Sequence, residues 1–215
     1  MEKCESYIDR LVQFFTSSNY HSEILSAKKE FFEQAGIIDE ESHYFESRMA
    51  QFLDWYIFTR PMNQYHLPPV QLILNKDVMP MRDEEKQIYT SIATTIHSLF
   101  EFLKVRGSDV YVYDIFSKKK YVLKNSDLRV GFNPEEIFDA RLVPFEGNYV
   151  FSKGFCFHPA EAKKFILKEI KKVRHLEKEQ HEALMFKIMK MRYKLEQYKH
   201  IKLEYIYTND PQLKL

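Results

Sequence analysis

The residues that could carry out chemistry are few, and their spacing does not complete a known catalytic motif. His181-Glu182 begins like the His-Glu-x-x-His motif of zinc proteases, but Met185 stands where the second histidine would bind the metal. Asp139 and Arg141 are two residues apart on a predicted strand, and this spacing favours a salt link over an acid–base pair. We therefore predict a protein without a catalytic site, and an enzyme of unrecognised class is the least favoured alternative.

The cysteine, histidine and glycine contents argue against several other kinds of site. Cys4 and Cys156 are the only cysteines, which is typical of reduced thiols rather than of a disulfide framework. The eight histidines lack the spacing of zinc ligands, so we expect no metal. Five glycines in 215 residues form no glycine-rich phosphate loop, so we expect no cofactor. We expect a cytoplasmic location, because no apolar run reaches the ~18 residues of a membrane span and the acidic N-terminal residues do not resemble a signal peptide.

The stretch from Pro159 to Leu203 is the strongest candidate for binding, because it is basic along one side and apolar along the other. It holds 13 lysine and arginine residues against six glutamates, whereas the whole chain has a net charge of only +1. Without an internal proline or glycine, it predicts one helix about 67 Å long. A basic face either binds a polyanion or remains solvated. The residues of this basic face are Lys164, Lys168, Lys171, Lys172, Arg174 and Lys178.

Past Leu184 the same predicted helix becomes apolar on two sides. A helix of this kind must be sandwiched between partners. The partners are either the N-terminal helices of the same chain, Glu2–Ala35, or a second copy of the protein. Methionine-rich surfaces adapt readily to partners, but they also fill cores. The candidate contact residues on this part of the helix are Met185, Phe186, Met189 and Tyr193.

Helical patterns lie on both sides of a central stretch, Phe100–His158, that is typical of a sheet. Val110–Phe116 alternates with a period of two, and about five short strands favour a small antiparallel sheet or a partly closed barrel. The predicted strands are 101–106, 110–116, 121–124, 137–145, 149–151 and 155–157. The predicted helices before them are 2–18, 22–35, 39–59, 69–74 and 83–100. Four tyrosines of this stretch either stack on nucleic-acid bases or pack across strands: Tyr111, Tyr113, Tyr121 and Tyr149.

Four motifs follow one another between residues 45 and 168. They are Gln51-Phe-Leu-Asp-Trp-Tyr-Ile-Phe-Thr-Arg60, Val112-Tyr-Asp-Ile-Phe-Ser117, Phe138-Asp-Ala-Arg-Leu-Val-Pro144 and Phe157-His-Pro159. Their order resembles an uncharacterised bacterial module, helical with a small β-sheet, that is often found beside SEC-C type zinc tails. The chain departs from that module in two respects: Thr59 stands where its members have Asp, and the clustered cysteines of the zinc tail are absent. The resemblance implies a fold and no activity.

These patterns predict an α+β protein with a mostly helical body, one small antiparallel sheet or partly closed barrel, and a long C-terminal helix. We divide it into a helical region (1–99), a small antiparallel β unit (100–158) and a long amphipathic helix with its tail (159–215), which together form one compact domain. We expect a non-catalytic cytosolic interaction or adaptor module that contacts a protein partner or a second copy of itself, and no membrane. The alternative is a nucleic-acid-associated protein that uses the basic face.

Overall fold

The predicted α+β architecture is present in the computed structural model, which describes residues 2–37, 40–127 and 133–211. Five helices precede an antiparallel sheet, and two helices follow it. The helices are α1 (Glu2–Phe15), α2 (His21–Ala35), α3 (Phe45–Phe58), α4 (Pro69–Asn75), α5 (Asp83–Ile92), α6 (Lys163–Val173) and α7 (Lys178–Gln197). The strands are β1 (Ile96–Arg106), β2 (Asp109–Asp114), β3 (Lys120–Leu123), β4 (Ile137–Phe145), β5 (Asn148–Phe151) and β6 (Cys156–His158).

The sheet curls so strongly that its two edges meet. Its strand order is β3-β2-β1-β4-β5, and β6 adds to β4. The Asn148 side chain, at the start of β5, donates to the Lys124 carbonyl oxygen over 2.8 Å and accepts from the Lys124 N–H over 3.1 Å. The curled sheet encloses its own apolar core, which we call the sheet interior. Its buried members are Phe100, Val110, Val112, Leu123, Phe138, Ala140, Leu142 and Phe151.

The β unit begins earlier than predicted. The predicted helix 83–100 ends at Ile92, and Ile96–Arg106 forms the first strand. Ile96 pairs with Leu142 and Phe100 pairs with Phe138, so hydrogen bonds to β4 fix this segment as extended. The first strand therefore starts at Ile96, three residues before the predicted boundary at residue 99. The predicted helix 39–59 is also shorter, since residues 40–44 form turns before Phe45 and Asp39 lies outside the described residues.

The predicted single C-terminal helix is wrong. The chain breaks after Val173, and a new helix starts at Lys178 after the extended residue Glu177. The Leu176 N–H donates to the Val173 carbonyl oxygen over 2.8 Å, and His181 Nε2 lies 3.0 Å from the same oxygen. These contacts give the last carbonyl group of α6 hydrogen-bond partners. The helix ends here although the break contains neither proline nor glycine. Because of the break, α7 folds back over the body of the protein.

The two-sided apolar part of α7 is sandwiched by the chain itself. On one side the Phe186 ring lies 5.4 Å from Phe31 and 5.7 Å from Trp55, between ring centroids. On the other side Ile188 packs with α6 and with the tail residue Tyr207. The four predicted contact residues of α7 are accordingly buried, with 3 to 7% of their surface exposed: Met185, Phe186, Met189 and Tyr193. Of the two predicted alternatives, capture by the N-terminal helices accounts for their burial without a second copy.

Candidate binding pocket

A cavity of about 650 Å³ lies between α1, α3 and the end of β5. On α1, Cys4, Ile8 and Val12 follow one another at intervals of four residues, so they lie along one face of the helix. On α3, Met49 and Leu53 repeat the same spacing and form the opposite wall. The third wall comes from the end of β5 and the link to β6, residues 150–153 and 155. The lining is thus mainly apolar and comes from segments that are far apart in sequence.

Charged side chains surround this cavity, and we call them the rim. Its members are Glu5, Asp9, Glu46 and Lys153, which all belong to the lining. Lys153 Nζ forms an ion pair with Glu5 and lies 3.5 Å from Asp9 Oδ1. The hydrogen bond to Glu5 raises the pKa of Lys153, so this ammonium stays protonated and paired. With three carboxylates against one ammonium, the rim attracts cations.

Two polar side chains are buried among the apolar lining. Asp54 Oδ2 accepts a hydrogen bond of 2.6 Å from Arg141 Nε, and the two side chains are 7% and 3% exposed. Arg141 also donates to the hydroxyls of Thr95 and Thr59, over 2.9 and 2.7 Å, so each of its three side-chain nitrogens has a hydrogen-bond partner. In contrast, Asp54 Oδ1 and the Ser152 hydroxyl oxygen have no hydrogen-bond partner in the described part of the chain. Both atoms are buried, so neither is exposed to the open space of the cavity.

The wall formed by the β5–β6 link is held rigidly against α3. Gln51 donates through its side-chain amide to the Phe155 carbonyl oxygen, and the Tyr193 hydroxyl donates to Gln51 Oε1. A Cβ atom on Gly154 would lie 2.8 Å from Asp54 Cβ, which is closer than real side chains approach. Only glycine allows the link to lie this close to α3. The link that forms this wall of the cavity is therefore packed directly against α3.

The free thiol in the cavity wall is buried and mainly protonated at neutral pH. Cys4 is 1% exposed, and burial raises its pKa to about 11. A thiol reacts as the thiolate, which is scarce at neutral pH when the pKa is this high. Cys156 is also buried, and burial raises its pKa further. Neither cysteine has the electropositive, partly exposed surroundings of a catalytic cysteine.

A group of ionisable side chains next to Asp54 connects neighbouring secondary-structure elements. His97 Nε2 lies 2.7 Å from Asp139 Oδ1 and ties β1 to β4, while Trp55 Nε1 donates to Glu182 Oε1 over 2.7 Å and ties α3 to α7. The space between them is about 10 Å³, enough for one water molecule and too small for a substrate. The predicted salt link between Asp139 and Arg141 is wrong, because Arg141 pairs with Asp54 of α3 and Asp139 contacts His97 of β1 instead.

No group of three or more His, Cys, Asp or Glu side chains within residues 2–37, 40–127 and 133–211 is arranged to hold a metal ion.

The predicted basic face is divided between two helices. Lys164, Lys168 and Lys171 are exposed on α6, whereas Lys172 pairs with Glu169. Arg174 lies in the break, and Lys178 starts α7. The six residues therefore do not share one continuous helix face.

The structure also brings the end of the β2 segment into contact with α7, which the sequence pattern did not predict. The Phe116 ring, at the end of the β2 segment, stacks on the His181 ring of α7 with 4.3 Å between centroids. Three lysines, Lys118–Lys120, follow two residues after this contact.

The four tyrosines of the sheet do not form a shared stacking platform. Tyr121 contacts Tyr149 with ring centroids 5.4 Å apart, and both pack against the sheet interior. Tyr111 and Tyr113 alternate with the buried Val110 and Val112 and therefore point to the opposite face of β2. Cross-strand packing, the other predicted role, accounts for the first pair.

The profile of a family of unknown function (DUF7986) matches residues 8–206, which is nearly the whole chain. No curated protein and no solved structure matches this sequence. Among the described residues, no helix is both long enough and apolar enough to cross a membrane.

Proposed function

The chain belongs to the DUF7986 family of unknown function, and we propose that it is a non-catalytic cytosolic interaction module that captures an apolar side chain from a basic segment of a protein partner. The observation that carries this proposal is the apolar cavity between α1, α3 and the β5–β6 link. A well-formed apolar pocket with a few convergent polar groups is the usual form of a binding site. Its volume, about 650 Å³, is within the range of pockets that hold one large group.

The charges of the rim favour a basic partner segment. Glu5, Asp9 and Glu46 outnumber Lys153, and Asp9 and Lys153 are about 60% exposed, so they remain available to an approaching chain. Complementary charge at the edge of an interface speeds association and selects partners. Most of the binding free energy of such contacts comes from a few large side chains that fill pockets. A large apolar residue flanked by lysines or arginines meets both requirements.

The surroundings of the cavity favour binding over catalysis. The thiol of Cys4 stays protonated because burial raises its pKa to about 11. The charge of Asp54 is compensated by Arg141, and Lys153 is held by two carboxylates. An enzyme needs at least one group poised to exchange a proton or attack a substrate. Here the Cys4 thiol is neutral, and Asp54 and Lys153 are each paired with a side chain of opposite charge.

The direct experiment uses four short peptides of defined sequence. The scaffold is acetyl-Lys-Lys-Ala-X-Ala-Lys-Lys-amide, with tyrosine, phenylalanine or alanine at X, and a fourth peptide carries tyrosine between glutamates. We expect saturable binding of the basic peptides with an aromatic residue at X, and this binding should weaken as salt screens the rim. Equal binding of all four peptides, or no binding of any, contradicts the proposal.

A matched pair of variants locates the binding. Ala50→Phe places a ring into the cavity lining, whereas Ala183→Phe adds the same ring on an exposed site of α7 outside that lining. We expect the first variant to lose at least tenfold in affinity for the aromatic basic peptides and the second to bind as the natural protein does. Equal affinities of the two variants contradict the assignment to this cavity.

A second candidate function is association with nucleic acid. The observation that favours it is the stack of Phe116 on His181 of α7, which comes two residues before the basic run Lys118–Lys120. Together these residues could neutralise several phosphates at once, and such binding falls steeply with salt. The divided face and the absence of a shared tyrosine platform make this candidate weaker than the first.

The test of this candidate is a gel shift with single-stranded and duplex oligonucleotides at several salt concentrations. The variant Lys168→Glu with Lys171→Glu should weaken binding and flatten its salt dependence. Lys29→Glu changes the charge of an exposed lysine on α2 and serves as the control. An absence of any shift at low salt, or an equal loss in the control, contradicts the candidate.

We also propose kinship with the bacterial modules found beside SEC-C type zinc tails. The support is the order of four motifs between residues 45 and 168. The proposal predicts that a solved structure of such a module has the same strand order, β3-β2-β1-β4-β5 with a sixth strand on β4. A different strand order in that structure contradicts the kinship.

A further inference from the structure

The turn between α6 and α7 presents an apolar side chain in a basic setting. We call residues 171–178 the corner, and their sequence is Lys171-Lys-Val-Arg-His-Leu-Glu-Lys178. Leu176 is 43% exposed. Its backbone N–H donates to the Val173 carbonyl oxygen over 2.8 Å, so the turn that carries it is held by a hydrogen bond. The corner therefore exposes one large apolar side chain on a defined turn.

The charge of the corner is opposite to that of the rim. The corner has four lysine and arginine residues against one glutamate, and its two end residues, Lys171 and Lys178, are exposed. The rim has three carboxylates against one ammonium, and Asp9 and Glu46 are exposed. Complementary charges at the edge of an interface attract the two surfaces and fix their register. The corner thus combines the two features that the cavity favours, a large apolar side chain and flanking positive charge.

The corner does not occupy the cavity of its own chain. Leu176 is not part of the cavity lining, and its side chain is exposed to solvent. The helix before the corner, α6, is fixed elsewhere in the fold, because Ile166 and Ile170 pack in one cluster with Leu99 of β1. The cavity lies between α1, α3 and the end of β5. A corner can therefore reach a cavity only in another molecule.

Charge distinguishes Leu176 from the exposed leucine of α2. Leu25 is 53% exposed, but its nearest charged neighbours in the sequence are Glu23 and Lys28, which have opposite signs. An acidic rim gains no electrostatic attraction from such a segment. Leu25 therefore offers a matched control for Leu176.

We propose that the partner whose apolar side chain enters the cavity is a second copy of this chain, with Leu176 at the cavity and Lys171 and Lys178 at the rim. This inference rests on the proposed function and names its partner. The contact joins two different surfaces, so it is heterologous, and each molecule offers both a cavity and a corner. Such contacts build a closed ring where the rotation between copies closes, and a chain where it does not.

Sedimentation velocity of the full-length protein, from micromolar to millimolar concentration, tests this association. We expect the average mass to increase with concentration, and the association to weaken as salt screens the charges. Leu176→Asp should weaken it at least about tenfold, because the apolar group is lost, whereas Leu25→Asp should associate as the natural protein does. A protein that stays monomeric at millimolar concentration, or equal behaviour of the two variants, overturns the inference.

An exchange of charges tests whether corner and rim meet. The rim variant carries Asp9→Lys with Glu46→Lys, and the corner variant carries Lys171→Glu with Lys178→Glu; all four side chains are exposed, so we expect both variants to fold. Each variant alone should remain monomeric, because like charges then face each other. A mixture of the two should associate, since the basic rim of one meets the acidic corner of the other. A mixture that stays monomeric overturns the inference.

The variant Ala50→Phe, which fills the cavity, separates this inference from the proposed function. We expect it to lose self-association at least about tenfold, as it loses the peptides. Self-association that this variant leaves unchanged means that the corner docks elsewhere, and overturns the inference. Basic aromatic peptides that bind a protein which stays monomeric also overturn the inference, but they leave the proposed function standing. If the protein stays monomeric and no peptide binds, both fail.

Discussion

The sheet interior and the cavity share a wall, yet one is filled and the other is open. Phe151 and Phe155 border both of them. In the sheet interior, the Phe138 ring has aromatic neighbours with centroids 5.5 to 6.2 Å away, among them Phe100, Phe157 and the two shared phenylalanines. On the other side of the shared wall, similar apolar side chains line about 650 Å³ of space. Residue type alone therefore does not decide whether an apolar face is packed.

The difference arises from what holds the walls in position. The far side of α1 is fixed to α5, because the Tyr7 ring meets the Tyr89 ring at 5.6 Å and Arg10 Nη1 lies 2.6 Å from Glu85 Oε1. On α3, the Asp54–Arg141 pair fixes the opposite wall to β4. Each wall is thus stabilised by contacts outside the cavity and does not need to close onto the other. A space of this kind can persist at modest cost in free energy.

The largest expected effect is on the stability of the filled side. Phe138→Ala removes a ring that is 1% exposed, and we expect a loss of about 3–5 kcal/mol in the free energy of unfolding, measured with urea. Leu53→Ala on the cavity wall should cost roughly 1 kcal/mol, because Leu53 is only partly buried and already borders open space. Equal losses in the two variants contradict the contrast between a filled and an open region.

The next prediction concerns His158, the last residue of β6. This side chain is 1% exposed, and its Nδ1 lies 3.1 Å from the Tyr207 hydroxyl oxygen. Burial lowers the pKa of His158 from 6.5 to about 4. Between these two pH values the unfolded chain takes up a proton that the folded chain does not. The free energy of unfolding should therefore decrease by roughly 3 kcal/mol as the pH falls from 6.5 to 4.

The variant His158→Gln isolates this contribution to the pH dependence. Urea unfolding at several pH values should give a shallower decrease for the variant than for the natural protein, by the amount that His158 contributes. Parallel pH profiles of the two proteins contradict the burial of a neutral His158.

A smaller effect is expected from adding volume on each side of the shared wall. Ala140→Leu introduces three carbon atoms into the packed sheet interior and should cost about 1–3 kcal/mol. Ala50→Leu places the same atoms at the cavity, where we expect no loss or a gain of up to about 1 kcal/mol. Thermal or urea unfolding measures both. A similar destabilisation by the two substitutions means that the cavity is not open space in solution.

The smallest effect is on the reactivity of the two thiols. Burial raises the pKa of both Cys4 and Cys156, but only Cys4 lines the cavity. We expect a small uncharged maleimide to modify Cys4 severalfold faster than Cys156, as measured by mass spectrometry of digested protein. The basic tyrosine peptide should slow the reaction of Cys4 and leave Cys156 unchanged. Equal rates for the two thiols contradict access through the cavity.

Most of the fold was predictable because the local patterns are strong. The strand predicted at residues 137–145 matches Ile137–Phe145, and the first two helices end close to their predicted positions. The helix predicted for the segment after Ile92 was wrong. Ile96 and Leu99 continue a helical spacing, and only their pairing with β4 makes them extended. The break after Val173 carries no proline or glycine, so the residue pattern did not mark it.

The candidate cavity was far less predictable than the fold. Cys4, Asp54 and Ser152 meet only in three dimensions, and each is ordinary within its own segment. An apolar stripe on α1 has the same spacing whether a neighbour covers it or open space lies beside it. The predicted residues of α7, in turn, had the composition of an interface but serve as core, because the break before Lys178 folds that helix back.

The central claim is that the cavity is open to an aromatic side chain from outside, and methionine-methyl NMR tests it most directly. Met49 lines the cavity, whereas Met62 is 1% exposed in the core and serves as the internal reference. With the eight methionine methyl groups labelled with ¹³C, the basic tyrosine peptide is titrated into the full-length protein. We predict a saturable shift of the Met49 signal with little change at Met62, and a smaller Met49 shift with the alanine peptide. A Met49 signal that does not move, or that moves no more than Met62, contradicts the account.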